Sequence, residues 1–263
     1  MDAERDEDGV RLRPRSGGHR PGRRAFLLGG GLALLSIGGA AAARPEGVRR
    51  AYAQIVCGGM PDPPRTHPGT LQTARVDGRR VVVALPPDAR EGLPVVVMLH
   101  GAAGDARTPF DAYAVDRYLA AGGERLAMVA VDDWPSADIT GAVLPYLEAS
   151  GMDTGRIGLL GWAAGGAGAL RLAAKLGPEK VGAVVATSPA VTAARAPLRE
   201  IVDIPIWLGC GEHDAWAAQT ETMLKGLRAL GATTDGGITK GCEDMAYRRR
   251  VLPEQLAFLA RHV

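Results

Sequence analysis

The spacing of apolar and polar positions changes several times along this chain, and each change marks an element. TLQTARV (70–76) and RRVVVAL (79–85) flank Asp77-Gly78, the signature of a two-residue hairpin. LPVVVMLH (93–100) is apolar without alternation, as in a strand covered on both faces. LAMVAV (126–131), RIGLLG (156–161), VGAVVATSP (181–189) and IPIWLGCG (204–211) repeat that pattern, and a short strand is expected near Gly237-Ile238. Between these runs the apolar period lengthens to that of helices. They are PFDAYAVDRYLAAGG (109–123), ADITGAVLPYLEAS (137–150) with a kink expected at Pro145, GAGALRLAAKLG (166–177), AAQTETMLKGLRALG (217–231) and LPEQLAFLARHV (252–263). Strands alternating with helices predict a three-layer α/β/α sandwich around a mostly parallel sheet of about eight strands, with an antiparallel edge from the opening hairpin. The connection after Val131 is short, so a lid is minimal or absent.

The N-terminal third of the pattern is different. Residues 1–24 are polar, with seven arginines and five acids, and the uncharged run AFLLGGGLALLSIGGAAAA fills 25–43. A basic flank, an apolar run and small residues at its end match an export signal, and Arg23-Arg24 before Ala25-Phe26-Leu27 resembles the twin-arginine type. An uncleaved membrane anchor is the other reading of 1–43. Residues 44–69 hold GGMPDPPRTHPG and form a Pro/Gly-rich linker or extended arm, which leaves 70–263 as the folded domain. The whole chain carries 31 basic and 29 acidic residues, and the leader accounts for the excess. The remainder is neutral, with no basic stripe to suggest nucleic acid, and any membrane contact would run through the N-terminal segment alone. Of three cysteines, Cys210 lies in an apolar run and reads as buried, while Cys57 and Cys242 can pair in an oxidising compartment. No His/Cys spacing suggests a metal, and no cofactor motif stands out.

In an open α/β sheet, chemistry gathers at the C-terminal ends of the strands. The first informative end is GLLGWAAGG, where Gly161 and Gly165 bracket position 163 with the spacing of a G-x-S-x-G elbow, but the central residue is Ala163. The second is MLHGAAGD, where His100-Gly101 opens a loop whose Ala102 N–H, with that of Ala164, would form an oxyanion hole. His100 itself reads as a buried histidine bonded to backbone. The third is LGCGEHDAW, where Asp214 stands where the acid of a triad would stand, or caps a helix. The histidine of a triad should follow in the loop TKGCEDMAYRRR, which has none. After residue 43 the chain contains only His67, His100, His213 and His262.

GLLGWAAGGAGALRLA, VVATSPA, LGCGEHDAW and GCEDMAYRRRVLPEQLAFL together resemble the exported bacterial esterase-like members of the α/β-hydrolase superfamily over roughly residues 70–263. The resemblance implies that fold and ester hydrolysis. It places the nucleophile on Ala163, the acid on Asp214 and the histidine on Glu243, and it puts Arg248 where similar sequences usually have tryptophan. Two of three triad roles then lack their chemistry. A methyl group cannot attack a carbonyl, and losing the serine or histidine of such a triad costs on the order of 10⁶ in turnover. Glu243 beside Asp214 would crowd two carboxylates, for which Arg248 is the counter-charge.

Three functions remain to be separated. The chain is expected to be an impaired hydrolase that binds a small-molecule or acyl-ester-like ligand, or a partner, in the former cleft. An active carboxylic-ester hydrolase with a displaced apparatus would have to use His213, Ser188, Thr187 or Cys242. A structural, envelope-associated protein would need no cleft at all.

Overall fold

The computed structural model describes Gly47, Ala51 and residues 54–263. The expected leader, residues 1–43, lies outside the described residues. Nine strands form the sheet: β1 (Thr70–Val76), β2 (Arg79–Leu85), β3 (Pro94–Leu99), β4 (Ala127–Val131), β5 (Asp153–Trp162), β6 (Val181–Thr187), β7 (Ile206–Gly211), β8 (Thr234–Asp235) and β9 (Ile238–Thr239). Their order is β1-β2-β4-β3-β5-β6-β7-β8, and β9 also pairs with β7. The hairpin β1–β2 and the β2–β4 pair are antiparallel, and every other pair is parallel.

Five main helices cover the sheet: α1 (Val115–Gly122), α2 (Leu144–Ala149), α3 (Ala164–Leu176), α4 (Ala217–Ala229) and α5 (Met245–His262). The unbroken apolar strands are explained by two separate cores. Val95, Val97 and Leu99 of β3 face α2, α3 and α4, where Leu147, Leu170 and Leu227 meet them. Val96 and Met98 point the opposite way, toward α1 and α5, where Leu119, Leu252 and Phe258 close the second core. Val95 to Leu99 are thus all buried, and each large aliphatic side chain so removed from water stabilises the fold by about 1.5–3 kcal/mol.

Three elements differ from the pattern. The helix expected over 109–123 is interrupted: a single turn, Thr108–Asp111, is followed by Ala114 at φ 57° before α1 begins. The break turns Tyr113 inward onto Trp162, with ring centroids 4.9 Å apart. Pro145 does not kink a uniform helix. The chain runs as a π-turn over Ile139–Val143, opened by the Asp138 carboxylate on the Gly141 N–H, and Pro145 sits in the first turn of α2, where no N–H is required. The last helix starts at Met245, well before Leu252. Asp244 caps it by accepting from the Tyr247 N–H at 2.8 Å, and Pro253 is carried inside it.

The segment ahead of β1 is pinned to α5. Cys57 and Cys242 form a disulfide, Arg250 donates to the Cys57 carbonyl at 3.0 Å, and Arg249 reaches the Pro61 carbonyl. The bridge closes 185 residues of chain, which in the chain-entropy account lowers the unfolded state's freedom by about 5 kcal/mol. Among the described residues no helix is long and apolar enough to cross a membrane.

Candidate active-site cleft

The end of β5 and the start of α3 approach so closely that side chains are excluded on both sides of Ala163. A Cβ on Gly161 would lie 2.2 Å from the Gly165 carbonyl oxygen, and one on Gly165 would lie 1.8 Å from that of Leu99. Between them Ala163 adopts φ 51°, ψ −115°, a conformation that L-residues rarely hold. Its N–H donates to Thr187 O at 3.0 Å and its carbonyl accepts from Ala190 N at 3.0 Å, so hydrogen bonds on both flanks hold the turn. The turn is a nucleophile elbow in backbone terms, and what it presents is a methyl group.

The loop after β3 faces this turn. A Cβ on Gly101 would come within 3.9 Å of the Ala163 methyl. Ala102 and Ala164 both line the cleft between loop and elbow. Ala164 is the first residue of α3, so its N–H has no intrahelical acceptor. A polar clamp that the motifs did not reveal fixes the loop. Arg80 bonds Asp105 at 2.6 Å and Asp132 at 3.1 Å, Asp132 accepts from the Ala106 N–H, and Asp105 accepts from the N–H groups of Arg107 and Thr108. Burial would raise the Asp105 carboxyl, but these donors and Arg80 outweigh it and hold it below the usual carboxylate range. Trp134 adds a bond from its Nε1 to the His100 carbonyl at 2.9 Å. His100 is buried, with Nδ1 2.8 Å from the Gly101 carbonyl.

The cleft has two lobes that share Gly101, Ala102, Gly104, Ala164 and Ala190. One, of about 400 Å³, is lined by Ala163, Tyr113, Thr108, Glu243 and Arg248. The other, of about 670 Å³, is walled by Trp134, Pro135, His100 and Arg171.

Asp214 lies behind the first lobe at 7 % exposure. Its Oδ1 accepts from the Trp216 N–H at 2.8 Å, and its buried Oδ2 has no partner among the described residues. Glu243 is brought toward it because the His213 N–H donates to Gly241 O, which packs the 211–214 turn on the 241–243 loop. Burial pushes the Glu243 carboxyl above its ordinary range, the Asp214 charge pushes it further, and Arg248 opposes them. Arg248 Nη2 is 3.9 Å from Glu243 Oε1, an ion pair without a hydrogen bond, while Nη1 donates to the Tyr113 hydroxyl at 2.6 Å. Asp214, Glu243 and Arg248 thus form a cluster of two carboxylates and one arginine at the first lobe.

The remaining expected residues are not brought into the cleft. Ser188 is 2 % exposed at φ 48° and lines neither lobe; its N–H donates to the Gly209 carbonyl at 2.8 Å. Burial pushes the neighbouring Cys210 thiol up to about 12, and Asp214 adds to the shift. Thr187 accepts from Gln255 Nε2 at 2.7 Å in the core. His213 lines neither lobe either; half-exposed, it leans on Glu212 at 3.5 Å. Cys242 is consumed by its disulfide. His262 stacks on Phe258 beside Gly182 at the start of β6, the far end of the sheet from Ala163.

Comparison with known proteins agrees with this geometry. Residues 126–235 match the model of the dienelactone hydrolase family, a stretch that includes Ala163 and Asp214 and ends before Glu243. No curated protein matches the sequence significantly. S-formylglutathione hydrolase from Staphylococcus aureus superposes with a TM-score of 0.61 at 14% identity, covering 73% of this chain and 98% of its own. A serine-to-alanine mutant of the feruloyl esterase module from Clostridium thermocellum, complexed with sinapinate, gives 0.62 at 13% identity, covering 77% and 93%. An esterase from Pyrobaculum calidifontis gives 0.58 at 19% identity, covering 75% and 86%. The fold is therefore that of the α/β-hydrolases, and within it residues 126–235 are similar to the dienelactone hydrolase family.

Proposed function

We propose that this protein is a non-catalytic α/β-hydrolase that binds a small ligand in the cleft over Ala163. The observation that carries the reading is the pairing of an elbow backbone with a methyl group at its apex and, among the described residues, no imidazole in the lobe that holds it. Covalent catalysis needs a nucleophile and a base within hydrogen-bond reach of one another, and both roles are unfilled. Backbone N–H groups alone leave a residual acceleration of roughly 10³–10⁴ over water, which is a weak hydrolase at best. A serine-to-alanine mutant of the feruloyl esterase module is complexed with sinapinate, so a protein of this fold carrying such a substitution holds an aryl acid, which supports binding in the cleft.

The proposal extends to location. The twin-arginine-like leader and a disulfide between distant cysteines both suit an exported protein. Replacing Arg23-Arg24 by lysines should retain the protein inside the cell.

The test of function is turnover of a short-chain nitrophenyl ester. The wild-type chain should release nitrophenol no faster than the heat-denatured chain, and Ala163→Ser with Glu243→His should bring activity. Wild-type turnover at ordinary esterase rates would overturn the reading.

A further inference from the structure

We infer that the ligand of this cleft is a free carboxylic acid rather than an ester, held with its carboxylate over the Ala163 methyl between the Ala102 and Ala164 N–H groups and the Arg248 guanidinium. This rests on the ligand-binding reading above and adds the chemical class.

The inference starts from Arg248. Its side chain is 18% exposed, so most of its hydration has been removed. A guanidinium has five N–H donors. Only Nη1 is engaged at hydrogen-bonding distance by a side chain, on the Tyr113 hydroxyl, and Glu243 stands off at 3.9 Å. Tyr113 packs on Trp162, the residue before Ala163, and Arg248 also lies over its ring, 5.3 Å from the centroid. Tyr113 therefore fixes the direction of the fork without neutralising it. Glu243, the acid nearest to Arg248, makes an ion pair with it but no hydrogen bond, so the N–H donors of the fork stay available. An oriented, mostly buried guanidinium with unused donors facing a cleft selects a planar anion with two acceptor oxygens.

The other groups of the lobe agree with that choice. Among the described residues no hydrogen bond uses the Ala102 N–H, and Ala164 opens a helix of 13 residues. Both are donors beside the site where the Ala163 methyl replaces a hydroxyl oxygen. A carboxylate over a methyl meets no lone pair of a nucleophile. An ester in the same place would bury Arg248 further and give its unused N–H groups only neutral acceptors. The body of the acid extends into the second lobe, where Trp134 and Pro135 supply a flat apolar wall. Trp134 is fixed there by its bond to His100 and by Gly168, whose missing side chain admits the indole ring. Charge-assisted bonds of this kind separate acid from ester by about 10- to 100-fold.

The experiment is calorimetric titration of the full chain with trans-cinnamate and with methyl cinnamate, and nitrophenyl-ester turnover is measured on the same samples. Cinnamate should bind at least tenfold more tightly than its ester. Arg248→Gln should abolish that preference, and Tyr113→Phe should weaken it. Arg228→Gln, exposed near the end of α4 and outside both lobes, should preserve it. Equal binding of acid and ester, or a preference that survives Arg248→Gln, overturns the carboxylate assignment and leaves the ligand-binding reading standing. Failure of both probes to bind at millimolar concentration, or turnover by the wild type, overturns both.

Discussion

The elbow and the acid side of this cleft are held in different ways. At the elbow the geometry belongs to the backbone: Gly161 and Gly165 permit the close approach, and bonds to Thr187 and Ala190 hold it. None of those contacts uses the Ala163 side chain. On the acid side the geometry belongs to side chains. Asp214 Oδ2 is buried without a hydrogen-bond partner among the described residues, the Glu243 carboxyl is pushed up, and Arg248 donates to Tyr113. A geometry held by backbone tolerates a change of side chain at its apex. One held by side chains depends on which residues are there.

That contrast can be broken at several points. The largest effect is expected from Gly165→Ala, because its Cβ meets the Leu99 carbonyl and neither backbone can give way. A cost of several kcal/mol should lower Tm by about 10 °C or more. A well-folded variant would show that the elbow is not rigid. Next, Cys57→Ser should destabilise by about 2–5 kcal/mol. Hydrogen exchange should quicken over 54–69 and 241–250 and stay slow over 158–170; uniform loosening would erase the distinction between the two sides. Smaller again is the effect of Glu243→Gln. A carboxyl whose folded pKa is raised binds its proton more tightly when folded, so its contribution is present below the ordinary carboxylate range and is lost as pH rises through the raised value. Thermal melts should therefore show the glutamine variant gaining on wild type between pH 4 and pH 8, by a few degrees at most for so exposed a group. A gain at acid pH instead would contradict the crowding of two carboxylates. The smallest effect belongs to Ala163→Ser alone, with Tm within about 2 °C of wild type and no turnover.

Most of the fold was legible in the chain because its signals are periodic and local. Unbroken apolar runs of four to eight residues mark strands buried on both faces, and the glycines around position 163 mark a tight turn. The break at Ala114 was not legible. Nothing local in PFDAYAVDRYL forbids a continuous helix, and the interruption is decided by Tyr113 packing on Trp162, far away in sequence. Asp244 was overlooked as a cap because Leu252-Pro253 offers a competing helix start. The clamp of Arg80, Asp105 and Asp132 joins a strand and two separate loops and leaves no motif. The three arginines 248–250 read as one basic run, yet each holds something different: Tyr113, the Ala112 carbonyl and the Cys57 carbonyl.

The central claim, an intact elbow without a nucleophile, is tested most directly by intact-mass measurement after exposure to a fluorophosphonate probe. The wild-type protein should keep its mass, while Ala163→Ser with Glu243→His should gain one probe adduct on the new serine. A stoichiometric adduct on the wild-type chain would mean that another residue supplies the nucleophile, and the account of the cleft as non-catalytic would be wrong.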